Sequence, residues 1–406
     1  MALFPENTKM VEPPPHVPKN LVYDFDVEKD ARILKDPHEA YTALHRDAPD
    51  IFFTRTGGGH WLVTRFDDVT SIMMNPQVFS NRRTLEPADN DTEYTLPPQD
   101  MDAPLHMKYR LLLMKFLAPK AVKDMNPRIR QLSVDLIEKL KGRNSCEFIA
   151  ELAVPLPVQM FMSIMDLDTS QYKKYADWIH TIMGGGERTP EARMGAMMAV
   201  DADIERLVQE RMEKPGTDAV SILLASSVDD KPLTVKRVKE MCYLLFLAGL
   251  DTVTCAMSFI LRYMATHHDI QDRLRAHPEQ ISGAVEEFMR RIAFVNVPRL
   301  VTQDIVVNGV QMKRGDTVIC SLLAASNDPR KIDHPMEVDL DRASSPHVAF
   351  NTGPHSCAGV HLARMELVIF LEEWLKRMPN VSLKPGFTPR FRAGSTIAMD
   401  ELDLVW

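Results

Sequence analysis

The residues with the most evident chemistry lie in Phe350-Asn351-Thr352-Gly353-Pro354-His355-Ser356-Cys357-Ala358-Gly359-Val360-His361-Leu362-Ala363-Arg364. Gly353-Pro354 breaks regular structure, and from Ala358 onward the composition favours a helix. Cys357 therefore stands just before a helix N-terminus, where unpaired backbone N–H groups and the helix dipole favour a thiolate over a thiol. Three readings of that cysteine compete. A lone cysteine is most often a small buried hydrophobe. Zinc would take His355, Cys357 and His361 but wants a second pair of ligands, which the sequence does not supply. The third is axial ligation of haem iron, to which a thiolate pushes electron density and so favours O–O cleavage.

A second constellation is Ala248-Gly249-Leu250-Asp251-Thr252, inside the longest helical stretch, 234 to about 266, which is nearly apolar over 241–250. A mid-helix glycine costs about 1 kcal/mol against alanine, and a buried acid costs more unless it is satisfied. Local rules broken together at one point mark a functional position. Glu287 and Arg290, three apart on a helix over 278–292, form a third pair; taken alone, they read as a surface ion pair.

The elements that must position these groups are mostly helical. Periodicity predicts helices over 37–47, 66–74, 106–116, 127–141, 157–165, 169–183, 190–212 and 361–376, with strand character at 60–64. Asn308-Gly309 between alternating stretches predicts a type I′ hairpin within 304–320. Residues 75–104 lose all periodicity and read as a long binding loop. Gly184-Gly185-Gly186 reads as a joint between two helices.

The chain of 406 residues is 45% hydrophobic and 26% charged, which allows a large core in one mainly helical domain with a small β portion. A net charge of -8 argues against general nucleic-acid binding. The five cysteines have no framework spacing, which suits a reducing, cytoplasmic setting. Residues 1–20 hold several prolines and no apolar leader, predicting an extended surface arm. The apolar run 241–250 is too short to span a bilayer, so no membrane partner is expected.

The pattern Phe350-x-x-Gly353-x-His355-x-Cys357-x-Gly359 resembles the cysteine-ligand loop of the cytochrome P-450 family. Glu287-x-x-Arg290 resembles that family's buried ion pair, and Ala248-Gly249-x-Asp251-Thr252 its oxygen-activation motif. Their order and spacing agree over nearly the whole chain. Within the family the sequence is most similar to the bacterial camphor-hydroxylase group, from Met101-Asp102 through Leu250-Asp251-Thr252 to Leu404-Val405-Trp406.

The resemblance implies a triangular helical prism with haem b (iron protoporphyrin IX) between the central helix and the cysteine loop. Cys357 would be the axial ligand in a loop completed by Phe350 and Gly359. Arg110, Arg299, His355 and His106 would meet the propionates; His106 replaces a glutamine there, and Val297 stands where an aspartate is expected. Asp251 and Thr252 would deliver protons to bound dioxygen, for which Gly249 leaves room. Tyr94 would donate to a substrate ketone, with Leu85 and Leu96 in place of phenylalanines. Leu244, Leu247, Ala248 and Val295 would form an apolar wall, while Ser395 and Thr396 replace aliphatic residues.

The activity implied is that of a haem-thiolate monooxygenase hydroxylating a small terpenoid or norisoprenoid ketone, wider than camphor, with camphor itself as the competing reading. A peroxide-driven peroxygenase and a non-enzymatic haem-thiolate sensor are the alternatives. Electrons would come from an acidic [2Fe-2S] ferredoxin and its NADH-dependent reductase, steered by Lys108, Arg110, Lys115, Arg342 and Arg364. The protein would act as a cytoplasmic monomer.

Overall fold

The structure is a computed structural model that describes residues 10–82, 95–183 and 189–406. Its organising element is the helix Val235–Met264, which at 1.5 Å per residue runs about 45 Å. Thr234 caps it by accepting a hydrogen bond from the Arg237 N–H at 3.3 Å. Two hydrophobic clusters meet on this helix. One takes its first half, up to Leu250, and packs it against the helices Leu105–Leu117, Pro155–Ile164, Tyr172–Ile182 and Pro190–Glu213. The other takes Val253 onward with the helices Asn126–Glu138, Ile281–Arg291 and Val360–Arg377. The changeover falls at Asp251-Thr252, so the polar step in the helix sits where two cores abut.

Among the described residues this is the one helix long and apolar enough to cross a membrane, with a mean hydropathy of 2.0 over its most apolar window. The run 241–250 understates it, because apolar residues continue past Thr252. Of that window 72% is buried by the rest of the chain, which makes it a core element here.

A proline shapes the approach to it. The segment Ile149–Ala153 is a π-turn, with the Val154 N–H bonded to the Ile149 carbonyl at 2.9 Å. In an α-helix the Ala153 carbonyl would accept from residue 157, but Pro157 has no N–H. The Thr254 hydroxyl on the central helix donates to it instead, at 3.0 Å.

A five-stranded sheet forms the β portion, in the spatial order Ile51–Thr54, His60–Val63, Thr317–Ser321, Asn296–Val301, Phe79–Ser80. Strand Asn296–Val301 contains Pro298, which opposes Ile319 on one side; Phe79–Ser80 pairs on the other side only with Val301 and Leu300. The missing N–H of Pro298 therefore falls where that second neighbour has ended. The hairpin of Ile305–Val307 with Val310–Met312 turns on Asn308 and Gly309, at φ 45° and 78°, as the type I′ geometry requires. Helices over His268–Ala276 and Ala219–Leu224 were not foreseen from periodicity.

At the N-terminus, residues 11–18 follow the surface without regular structure. The Val11 N–H bonds the Arg55 carbonyl at 3.0 Å, and His16 meets Asp316 at 2.9 Å.

Candidate haem-thiolate site

The cysteine loop is built by backbone geometry that admits few alternatives. Gly353 has φ +73°, and a Cβ there would lie 2.7 Å from the Met73 carbonyl oxygen, so only glycine lets the loop press on the helix Phe66–Met73. Asn351, also at positive φ, receives a bond on its Oδ1 from the Thr352 N–H. The Cys357 N–H donates to the Phe350 carbonyl at 2.8 Å, and the Arg364 guanidinium lies 5.0 Å over the Phe350 ring. The helix Val360–Arg377 then starts with Gly359 as its N-cap, three residues after the cysteine.

Cys357 is exposed by area, while the four other cysteines are buried. It is nonetheless so enclosed that burial pushes its thiol pKa above the ordinary value, against lowering from the Gly359 N–H, Arg110 and Arg364. An exposed atom in desolvating surroundings faces an internal cleft rather than bulk water. The central helix shows the same signature. Ala248 and Gly249 are exposed between buried Phe246 and Leu250, with Leu247 and Thr252 half-buried. The helix Val360–Arg377 packs on the central helix, and Ala358 and Leu362 reach the cluster that holds Leu244 and Leu250. The fold thus puts the sulfur and the exposed step of the helix into one interior.

At one edge of this interior stand four cationic or donor side chains. His106 and His355 stack with ring centroids 3.8 Å apart. Burial, then the Arg110 charge, pushes His106 down to about 4; burial, then His106 and Arg299, pushes His355 down to about 3, so both are neutral at pH 7. Arg299 is 4% exposed and donates to the Pro298 carbonyl at 2.7 Å. Arg110 donates to the Ser356 hydroxyl at 3.3 Å. Neither arginine forms a salt bridge with a carboxylate among the described residues, and burial lowers the pKa of both, Arg299 to about 10. Desolvated guanidinium groups without a carboxylate fit an anion in the cleft. Together with a soft sulfur ligand and apolar walls, this donor set fits haem and its propionates.

Thr252 donates its hydroxyl hydrogen to the Ala248 carbonyl at 2.9 Å. Its oxygen is therefore left as an acceptor. A Cβ at Gly249 would make an ordinary 3.9 Å contact with Phe161, so the packing by itself does not demand a glycine. Asp251 is buried; its Oδ2 accepts from the Cys255 thiol at 3.8 Å, and its Oδ1 lies 3.8 Å from Arg392. Arg392 carried no signal in the sequence, because only the fold brings it to the central helix.

Of the proposed substrate residues, Leu85 and Tyr94 lie outside the described residues, as does the Gly184–186 joint. Leu96 is buried in the cluster with Met101 and Tyr109, and Leu244 is also buried. Val295 is half-buried and bridges to Thr396, whose neighbour Ser395 accepts from the Asn296 N–H at 2.8 Å. Val297 is half-buried in the same strand as Arg299.

Glu287 and Arg290 are buried and joined at 2.8 Å, not a surface pair. Arg290 also reaches Asn327, Pro335 and Glu337, and Glu287 accepts from Ser345, the Asp339 N–H and Arg342. This corrects the expected basic patch. Arg342 serves the buried network at 3.1 Å, while Arg364 is paired with Glu286 and Lys108 with Asp229, both at 2.6 Å. Glu366, on the helix after the loop, also went unread; burial pushes its carboxyl up to about 8. A cleft of about 460 Å³ between Arg65 and Arg330 is lined by none of these site residues.

The family model described as cytochrome P450 matches residues 158–386. The chain is 31% identical to the probable cytochrome P450 127A1 of Sinorhizobium fredii over 402 residues, 97% of this chain and 96% of that protein. Among solved structures it is similar to CYP101J2, with a TM-score of 0.87 at 31% identity over 98% of this chain and 100% of that one. CYP101C1 gives a TM-score of 0.88 at 30% identity, over 97% and 100%.

Proposed function

This chain belongs to the cytochrome P450 family and is a haem-thiolate monooxygenase using dioxygen and an electron donor, and we propose that it hydroxylates a small apolar ketone of the terpenoid or norisoprenoid class. When bound, haem supplies the activation of dioxygen that puts one oxygen atom into a C–H bond. What the chain's own residues do follows from their chemistry. Cys357 would hold the haem iron through its sulfur, with the Gly359 N–H and the helix N-terminus favouring its thiolate against the effect of burial. Arg299, Arg110, His106 and His355 bind the propionates, and Phe350 and Gly359 hold the loop. Asp251 carries a proton toward the cleft, and the Thr252 oxygen accepts a hydrogen bond there and orients it.

The observation that carries this reading is the shared interior of exposed Cys357 and exposed Ala248-Gly249, rimmed by two arginines without a carboxylate partner among the described residues. The substrate class rests on the walls. Leu247, Ala248 and Val295 offer apolar surface, and Ser395 and Thr396 offer polar atoms to a single oxygen function. Leu85, Tyr94, Leu96 and Leu244 are the further lining residues proposed. Spin-state titrations with camphor and β-ionone test it. Tighter and more complete conversion by β-ionone is expected; complete conversion by camphor with no ionone response refutes the wider pocket.

An acidic [2Fe-2S] ferredoxin with an NADH-dependent reductase is the electron source that fits this reading. Leu111 and Lys115 are exposed one turn apart on the helix that carries Arg110, and Lys120 and Lys123 are exposed just beyond its end.

A further inference from the structure

Asp251 also lines a second, small cavity of about 30 Å³, which shares no lining residue with the cysteine loop. That volume is enough for a water molecule, and polar side chains come to it from three elements. The central helix supplies Asp251, Cys255 and Ser258; the helix Tyr172–Ile182 supplies His180; the hairpin of Phe391–Arg392 with Ala398–Met399 supplies Arg392 and the adjoining Asp400. Arg392 is buried and spans all three. It donates to Asp400 at 2.6 Å and to the Met183 carbonyl at 2.8 Å, and it stands 3.8 Å from the Asp251 carboxylate. His180 is exposed on its outer side yet lines the cavity within, so it sits at the mouth.

We infer that His180 is the port by which protons pass from solvent to Asp251, across a water in this cavity, and that Arg392 is the positioning residue that keeps the carboxylate turned toward it. The inference rests on the reading of Asp251 as proton carrier given above. His180 takes a proton from bulk water on its solvent side and releases one to the cavity water. That water passes one of its own protons to the Asp251 carboxylate and is restored; no electron moves. The charges facing His180 are Arg392, Asp400, Asp251 and Asp177. Burial, then Arg392, lowers its pKa below the ordinary histidine value, which leaves a neutral ring able both to accept and to give. At 3.8 Å Arg392 stops short of a direct hydrogen bond to Asp251, which leaves the carboxylate free to bond a water in the adjoining cavity.

Two measurements test this. A high-resolution crystal structure of the holoprotein should show a water within hydrogen-bond reach of Asp251 and His180; a dry cavity, or Asp251 turned away from it, overturns the inference. The second is NADH-driven oxygen consumption by the holoenzyme with a [2Fe-2S] ferredoxin and its reductase, with and without β-ionone. His180→Gln should slow it about ten-fold, short of the roughly 10²–10⁴-fold effect of a general acid acting directly. It should also abolish the acid-side break in the pH profile, with the reduced carbon monoxide spectrum unchanged. Arg392→Gln should slow it similarly, and Arg392→Lys should recover most of the rate. If Asp251→Asn is slow while His180→Gln and Arg392→Gln match wild type in rate and pH profile, the port is wrong and the Asp251 reading stands. If Asp251→Asn also runs at the wild-type rate, the Asp251 reading falls and the port with it.

Discussion

At the scale of single residues, the site is a set of groups each left with one bond to make. Arg299 has given up its hydration for one backbone carbonyl. Replacing it by glutamine should weaken haem retention by about 10- to 100-fold, the worth of a charge-assisted hydrogen bond of about 1.5–3 kcal/mol. Haem loss to apomyoglobin measures this, and a wild-type loss rate would remove Arg299 from the propionate set. Thr252→Ala should keep haem and ligand binding but divert electrons from NADH to hydrogen peroxide, because the acceptor that orients the proton is gone. The peroxide formed per NADH reads the effect; full coupling to product would contradict the proton role. These residues were also the most legible in the sequence. The cysteine loop needs a turn, a ligand and a helix start in close succession, and that requirement is written locally. Arg392 was illegible because its partners, Asp251 and Met183, come from elements far away in the chain.

At the scale of elements, what holds the segment leading into the cysteine loop is polar and long-range. Glu287 and Arg290 could be seen as a pair, but Ser345, Asn327 and Arg342 join them only once the chain is folded. Removing one partner of a buried pair leaves the other charge unpaired. Glu287→Ala should therefore destabilise the fold by about 3–5 kcal/mol, read as a loss of haem-bound protein in urea titrations; a change under 1 kcal/mol would mean the network is dispensable. Glu286 ties the helix Ile281–Arg291 to Arg364 and to His347. The Nδ1 of His347 accepts from the Ala349 N–H, so its Nε2 carries the hydrogen that it donates to Glu286. Burial opposes ionisation of Glu286, but these bonds outweigh it and bring the carboxyl down to about 2 from 4.5. A carboxyl depressed on folding contributes stability that is whole above its unfolded value and drains away as pH falls toward 2. Glu286→Gln should flatten the acid limb of the stability curve between pH 4.5 and 2; an unchanged limb would assign acid unfolding elsewhere. Helices with clean periodicity were readable from sequence, whereas the strand Asn296–Val301 was hidden by Pro298, tolerated because its second neighbour ends before it.

For the whole molecule, the fold sets the cysteine loop against a polar step in the middle of a buried helix, at the meeting of two cores. The proposed donor, an acidic ferredoxin, would be repelled at long range by the net charge of -8, so productive docking would have to come from local lysines. Its rate should fall as ionic strength rises from about 0.05 to 0.5 M, since the Debye length is about 10 Å at 0.1 M; a reduction rate indifferent to salt would contradict electrostatic docking. The central claim is that Cys357 holds haem iron as a thiolate. The carbon monoxide difference spectrum of the dithionite-reduced protein tests it most directly. The account predicts a strongly red-shifted Soret band, lost in Cys357→Ser. A Soret band at the ordinary haem position in freshly prepared protein would contradict it.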